Sequence, residues 1–240
     1  SCSQYAGTSG ENSADFYTRK LFQTQWKDER ARVGSLVAAT CGLRAGEVLA
    51  LRPGDIQEDR LLVRHSWCRT SGLKETKTGE ARVVPLLPEV RRELLRLAAE
   101  NPHGAGPGRF IFYGEVSDAP MSENILRRGL DRALCEMVVP APKKMTPSER
   151  KSHRESQREA LSCFRERGIC FHSWRHGYAT ALAGSLELRQ VQMATGHRTA
   201  AMANHYSNHR REEDFVVTAQ AASQVFQGVI PFDGGRDYRD

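Results

Sequence analysis

The sequence predicts a mainly helical α+β domain carrying a small antiparallel β-sheet, on three observations. Apolar residues recur at helical spacing before residue 51; the run from Leu61 to Leu86 is apolar, β-branched and broken by turn residues; helical periodicity resumes from Pro88 to Phe226. With 240 residues, 39% of them apolar, the chain is long enough to bury a core of its own.

Residues 1–13, SCSQYAGTSGENS, are small and polar without an apolar period, and read as a flexible lead-in or linker. From Trp26 to Cys41 the spacing of Val33, Leu36, Val37 and Thr40 predicts an amphipathic helix, with Gly42 placed to cap its end. A shorter helix, Ala45 to Leu51, halts at the Pro53-Gly54 turn. Leu61–Trp67 and Arg82–Leu86 read as strands of one small sheet, and Lys74–Glu80 as a hairpin with a Thr-Gly turn.

Pro88 opens a helix with Val90, Leu94, Leu95 and Leu97 on one face; after a loop at Asn101 to Gly108, another helix runs from Ser122 to Val139. Residues 140–168 hold three prolines and the run SERKSHRESQRE, which has almost no apolar face and reads as an exposed charged insertion. Helices are expected near His172–Gly184, Glu187–Thr195 and Thr199–Ser207, with a last amphipathic stretch at Phe215–Phe226. The plan is a lead-in (1–13), one domain over 14–212 and a C-terminal helix and tail over 213–240.

Lysine and arginine number 35 against 29 aspartate and glutamate, a formal charge of +6 that favours a polyanionic partner. The six cysteines form no C-x-x-C pair, so reduced thiols are expected. No stretch approaches the roughly 18 consecutive apolar residues of a membrane span, and no charged-then-apolar leader is present, so a soluble cytoplasmic protein without membrane association is expected.

The densest polar cluster is His172-Ser173-Trp174-Arg175-His176, followed by Gly196-His197 and, nine residues on, by Tyr206. On a helix His172 and Arg175, three apart, share a face and can converge on one anion. Taken singly, each of these residues is more often structural or solvated. Their weight comes from occurring together with an upstream arginine, Arg44, in TCGLRAGEVLAL.

That stretch resembles the first arginine box of the tyrosine recombinases, FHSWRHGYAT resembles their second box, and ATGHRTAAMANHY resembles their Gly-His segment with its nucleophilic tyrosine. The resemblance runs from about Trp26 to Asn208 and implies the tyrosine recombinase catalytic-domain fold. It implies that Arg44 and Arg175 grip a scissile phosphate, that His172 and His197 hydrogen-bond it and assist proton movement, and that Tyr206 attacks phosphorus. The family's catalytic lysine on a β-hairpin turn maps to Lys77, with Lys74 as its competitor. Glu47, three residues after Arg44, matches the acidic residue that orients the site. His176 matches the family's Arg-His pair but, one position past Arg175, points away from the phosphate toward packing.

The chemistry suits these residue types. In-line attack on a phosphodiester builds charge on nonbridging oxygens, which fixed guanidiniums bind bidentately. A tyrosine hydroxyl, ordinarily of pKa about 10, needs a proton acceptor and a positive field to attack, and the leaving 5′ oxygen needs a positioned acid. The resemblance therefore implies a site-specific recombinase or integrase working on double-stranded DNA through a 3′-phosphotyrosine, without metal, cofactor or ATP. It also implies a homo-oligomer, dimer or tetramer, on DNA, a bacterial or phage origin, and a C-terminal helix that docks on a neighbouring protomer.

Three rival readings share parts of this pattern. A metal hydrolase would use His172 and His176, four apart, but the glutamate of H-E-x-x-H is missing and Arg175 stands between them. A catalytically inactive DNA-binding accessory protein would keep the fold, yet every expected residue type is present. A type IB topoisomerase would share the chemistry. Fewer than 30 residues precede the first catalytic helix, where the family places a DNA-clamping helical domain, so either the sequence is a truncated piece or the clamp is supplied otherwise.

Overall fold

The computed structural model describes residues 13–75, 82–183, 185–186, 190 and 211–226. Helix α1 (Ser13–Gln23) precedes the first expected element. It buries Leu21 and Phe22, and the Phe22 ring stacks on Trp26 and Trp174 at 5.9 and 5.4 Å. Helix α2 (Glu29–Cys41) begins at Asp28, whose carboxylate accepts the Arg30 N–H at 2.9 Å; this N-cap moves the start three residues past the expected Trp26. From Ala31 to Cys41 α2 is buried on nearly every side, as befits the central helix of the domain.

Helix α3 (Ala45–Leu49) follows after three residues, and a 3-10 turn spans Pro53–Asp55. Strands β1 (Arg60–Val63), β2 (His65–Cys68), β3 (Gly72–Glu75) and β4 (Arg82–Pro85) form two antiparallel pairs, β1 with β4 and β2 with β3. The single expected strand Leu61–Trp67 thus divides at Arg64. Its guanidinium donates to Asp55 Oδ1 and to the Gly54 carbonyl, both at 2.8 Å, and fastens the break. The chain reverses between β2 and β3 at 69–71, with Lys74 within β3 opposite Ser66, and the expected Thr-Gly turn lies outside the described residues.

Helices α4 (Pro88–Ala99), α5 (Glu123–Val138), α6 (Pro147–Glu166) and α7 (Ser173–Ala183) complete the domain, with α2 packed against α4, α5 and α7. Thr146 and Glu149 cap the start of α6 reciprocally. Few apolar residues anchor this helix; Ala160 and Phe164 are buried toward its end, and His153 hydrogen-bonds the Val139 carbonyl at 3.1 Å. Helix α8 (Arg211–Phe226) lies against α7 and β4, with Phe226 stacked on Tyr178 at 5.8 Å and Arg60 over the Phe215 ring at 4.1 Å.

Cys41, Cys68, Cys135 and Cys170 are free thiols, whereas Cys163 departs from the expected reduced state in being disulfide-bonded. Among the described residues no helix is long and apolar enough to cross a membrane. The helices expected at Glu187–Thr195 and Thr199–Ser207 lie, but for Gln190, outside the described residues.

Candidate active site

The site is built where α2 ends. Gly42 takes a left-handed conformation (φ 64°) and its N–H returns to the Ala38 carbonyl at 3.1 Å, closing the helix. A side chain there would also run into the Tyr178 ring, so glycine is required twice over. The turn sends buried Leu43 inward and sets Arg44 at the N-cap of α3 in extended conformation.

Glu47, in the first turn of α3, reaches back to that cap. Its Oε2 accepts the Arg44 N–H at 2.9 Å and its Oε1 accepts Arg44 Nη1 at 3.0 Å. Position is enforced by Gly46, where a Cβ would lie 2.6 Å from Ser66 Oγ and 2.7 Å from the Trp67 carbonyl, so α3 sits directly on β2.

Two further guanidiniums converge on the same carboxylate. Arg82 Nη2, from the start of β4, donates to Glu47 Oε2 at 2.9 Å. Arg175 Nη1, from α7, donates to the Gly42 carbonyl at 2.8 Å and stands 4.0 Å from Glu47 Oε2. Side-chain exposure falls from 46% at Arg44 to 13% at Arg82 and 1% at Arg175, so among these three guanidiniums Arg44 is the one most open to solvent. Three guanidiniums against one carboxylate leave a local charge of about +2, held in a partly dry pocket where it acts strongly on an anion.

The titrations follow from this crowding. Burial pushes the Glu47 carboxyl upward, but Arg82, the Arg44 N–H and the Arg44 and Arg175 charges outweigh it and hold Glu47 below its ordinary value. Burial, then repulsion from Arg44 and Arg82, lowers Arg175 to about 10 against the pull of Glu47 and Tyr178, which leaves it charged at neutral pH.

His172 stands at the start of α7, its carbonyl accepting the Arg175 and His176 N–H groups at 3.1 and 3.4 Å. Its ring is exposed, and burial, His176, Arg175 and Arg44 together hold the imidazole below 6.5. A ring that is neutral at pH 7 beside two guanidiniums is a ready proton acceptor. His176 does not pack inward as expected: it is exposed, with its ring edge-on to His172 at 4.8 Å, because positions four apart, about one helical turn, share the solvent side.

The structure therefore brings together Arg44, Glu47, His172 and Arg175 of the expected set. Lys77, His197 and Tyr206 lie outside the described residues; Lys74 is exposed on the hairpin that α3 packs against. Arg82 was not singled out by sequence reasoning. Its signal is the strand alternation: Val84, two residues on, is fully buried, so Arg82 shares the inward face of β4 and needs a buried anion.

The profile of the phage integrase family matches residues 18–213. Tyrosine recombinase XerC of Rhodospirillum centenum is 27% identical over 187 residues, covering 78% of this chain and 44% of the relative, so the chain spans less than half of that relative's length. The Tn1549 transposon integrase in complex with transposon right end DNA superposes with a TM-score of 0.55 at 16% identity, over 93% of this chain and 69% of that one. The same integrase in complex with circular intermediate DNA gives 0.55 at 15% identity, over 86% and 66%. The fold is that of the integrases, and the chain belongs to the phage integrase family.

Proposed function

We propose that this chain is the catalytic region of a site-specific DNA recombinase that cleaves and rejoins double-stranded DNA through a 3′-phosphotyrosine intermediate, without metal, cofactor or ATP. The observation that carries this reading is the buried Glu47 carboxylate gathering Arg44, Arg82 and Arg175 beside the exposed His172 ring. Such a pocket is complementary to the extra negative charge of a pentacoordinate phosphorus rather than to a resting diester.

In this scheme Arg44 and Arg175 bind the nonbridging oxygens, and His197 adds a hydrogen bond to them. The Tyr206 hydroxyl gives its proton to His172 as its oxygen bonds to phosphorus. The bond from phosphorus to the 5′ oxygen breaks, and Lys77 protonates the departing oxygen. Glu47 touches no substrate; it positions the arginines. Attack by a different 5′ hydroxyl on the phosphotyrosine runs the same steps backward and joins new strands, with the bond energy conserved in the covalent link.

Family membership, the +6 formal charge and the likeness to an integrase held on DNA support a duplex partner. Each copy offers one Tyr206, so cutting both strands of one duplex takes two copies and exchange between two duplexes takes four; we assign a dimer or tetramer to the DNA. Helix α8, with Val216 and Val217 exposed, is the element proposed to dock on a neighbouring copy. The setting is the cytoplasm of a bacterium or of a phage-infected host. The lead-in at 1–13, the catalytic domain over 14–212 and the tail at 213–240 belong to the same reading.

The test uses nicked suicide duplexes drawn from DNA flanking the gene, with EDTA present. A covalent adduct on a denaturing gel supports the scheme. No adduct on any of them would sink it, an adduct lost with EDTA would require a metal, and relaxation of arbitrary supercoiled DNA would indicate a topoisomerase.

A further inference from the structure

Helix α6 carries a charged face that the cleavage scheme does not use. Arg150, Arg154 and Arg158 follow one another at four-residue spacing, and Lys151 joins Arg154 and Arg158 at three and seven, so all four side chains lie along one stripe. Together with Pro147 and Glu155 they line one open groove, and all four are exposed.

The opposite side of α6 is tied to α5, by Cys135 Sγ to the Gln157 carbonyl at 3.4 Å and by His153 and Gln157 to the Val139 carbonyl. The stripe is therefore held on a fixed support rather than on a tail. Outside the stripe Arg165 pairs with Asp131 at 3.2 Å, and within it Arg150 donates to the Met145 carbonyl. Among the described residues, no ion pair engages Lys151, Arg154 or Arg158. A row of unpaired cations on a docked helix gains little in folding, since their mutual repulsion opposes it.

We propose that this stripe is a second contact surface for the duplex DNA backbone, sharing no residue with the arginine pocket, which strengthens and orients binding without reading sequence. The inference rests on the DNA-recombinase reading above. From Arg150 to Arg158 the helix rises about 12 Å, which at one phosphate per about 3.4 Å of each strand spans three to four phosphates. Between the stripe and His172 the chain passes through the rest of α6, about 12 Å of axial rise from Arg158 to Glu166, and then the 167–171 turn. The groove's single carboxylate, Glu155, opposes a polyanion and sets a control of opposite sign.

The experiment measures binding of the full chain to a random-sequence duplex of about 40 base pairs by fluorescence anisotropy across a salt series. The variants are Lys151→Gln/Arg154→Gln/Arg158→Gln and Glu155→Gln, with helix content checked by circular dichroism. Loss of three backbone contacts is expected to weaken binding by at least about tenfold near 0.1 M salt and to reduce the slope of log affinity against log salt by two to three. Glu155→Gln is expected to bind more tightly than wild type. Affinity and slope unchanged in the triple variant, while wild type forms its covalent adduct, overturn the stripe and leave the recombinase reading standing. Wild type that neither binds duplex nor forms an adduct overturns both. A triple variant that loses self-association but keeps duplex affinity assigns the face to protein contact and overturns the proposal.

Discussion

Replacing Glu47 with glutamine keeps the side chain's shape and removes its charge. Three hydrogen bonds to Glu47 are affected, from the Arg44 N–H, Arg44 Nη1 and Arg82 Nη2. The Arg44 side-chain pair is about half exposed and counts for less than about 1 kcal/mol after screening. The Arg82 contact is nearly dry, and Arg175 behind it is fully buried. Removing the anion leaves two buried guanidiniums facing one another, a change that typically costs about 3–5 kcal/mol. At roughly 2–4 °C per kcal/mol for a chain of this size, the melting temperature should fall by about 6–20 °C.

Acid should erase the difference. Glu47 titrates lower folded than unfolded, so its stabilisation is complete above its ordinary value of 4.5 and is lost as pH falls through the lower folded value. Denaturant unfolding of wild type, Glu47→Gln, Arg82→Met and the double variant at pH 7 measures the coupling directly. The double variant should recover part of the loss. A Glu47→Gln change costing under about 1 kcal/mol, or no recovery in the double variant, would refute the claim that Glu47 holds the arginines in place.

Three further outcomes follow from the same geometry. Arg175→Lys keeps a charge but cannot span both the Gly42 carbonyl and a phosphate oxygen, so strand cleavage at saturating DNA should fall by about 10²–10³; a loss under tenfold would contradict its role. Cleavage in wild type should rise with pH through a value below 6.5 and level off at neutrality, as His172 sheds its proton and becomes an acceptor. In His172→Asn that acid limb should vanish, and its persistence would move the acceptor elsewhere. Gly42→Ala combines a left-handed backbone with a collision at Tyr178; it should cost roughly 2–4 kcal/mol by urea unfolding, and a neutral result would show the turn to be adaptable.

Much of the fold is legible because its elements end on residues with strong local preferences: Gly42 at the close of α2, Pro88 at the first turn of α4, Ser122 at the cap of α5. What escapes is decided by tertiary contact. The α1 segment gains its meaning only from rings at Trp26 and Trp174 that lie far apart in sequence. The strand break at Arg64 depends on Asp55, a partner nine residues away in an unrelated turn. Helix α6 is written almost wholly in polar residues, so periodicity marks it as exposed although its final turns carry Ala160 and Phe164 into the core.

At the site, Arg44, Glu47, His172 and Arg175 are legible because two local motifs carry them and each motif places its residues on one face. Arg82 is harder to see, since one arginine at a strand end is common and only its partner distinguishes it. His176 misleads for the converse reason: adjacency to Arg175 suggests divergence, yet four residues from His172 it returns to the same exposed rim.

The central claim is most directly tested by isolating the covalent protein–DNA adduct, digesting it and locating the nucleotide-bearing peptide by mass spectrometry. The account predicts a 3′-phosphate joined to Tyr206, and no adduct in Tyr206→Phe under the same conditions. An adduct on any other residue, or one of undiminished yield in Tyr206→Phe, would contradict it.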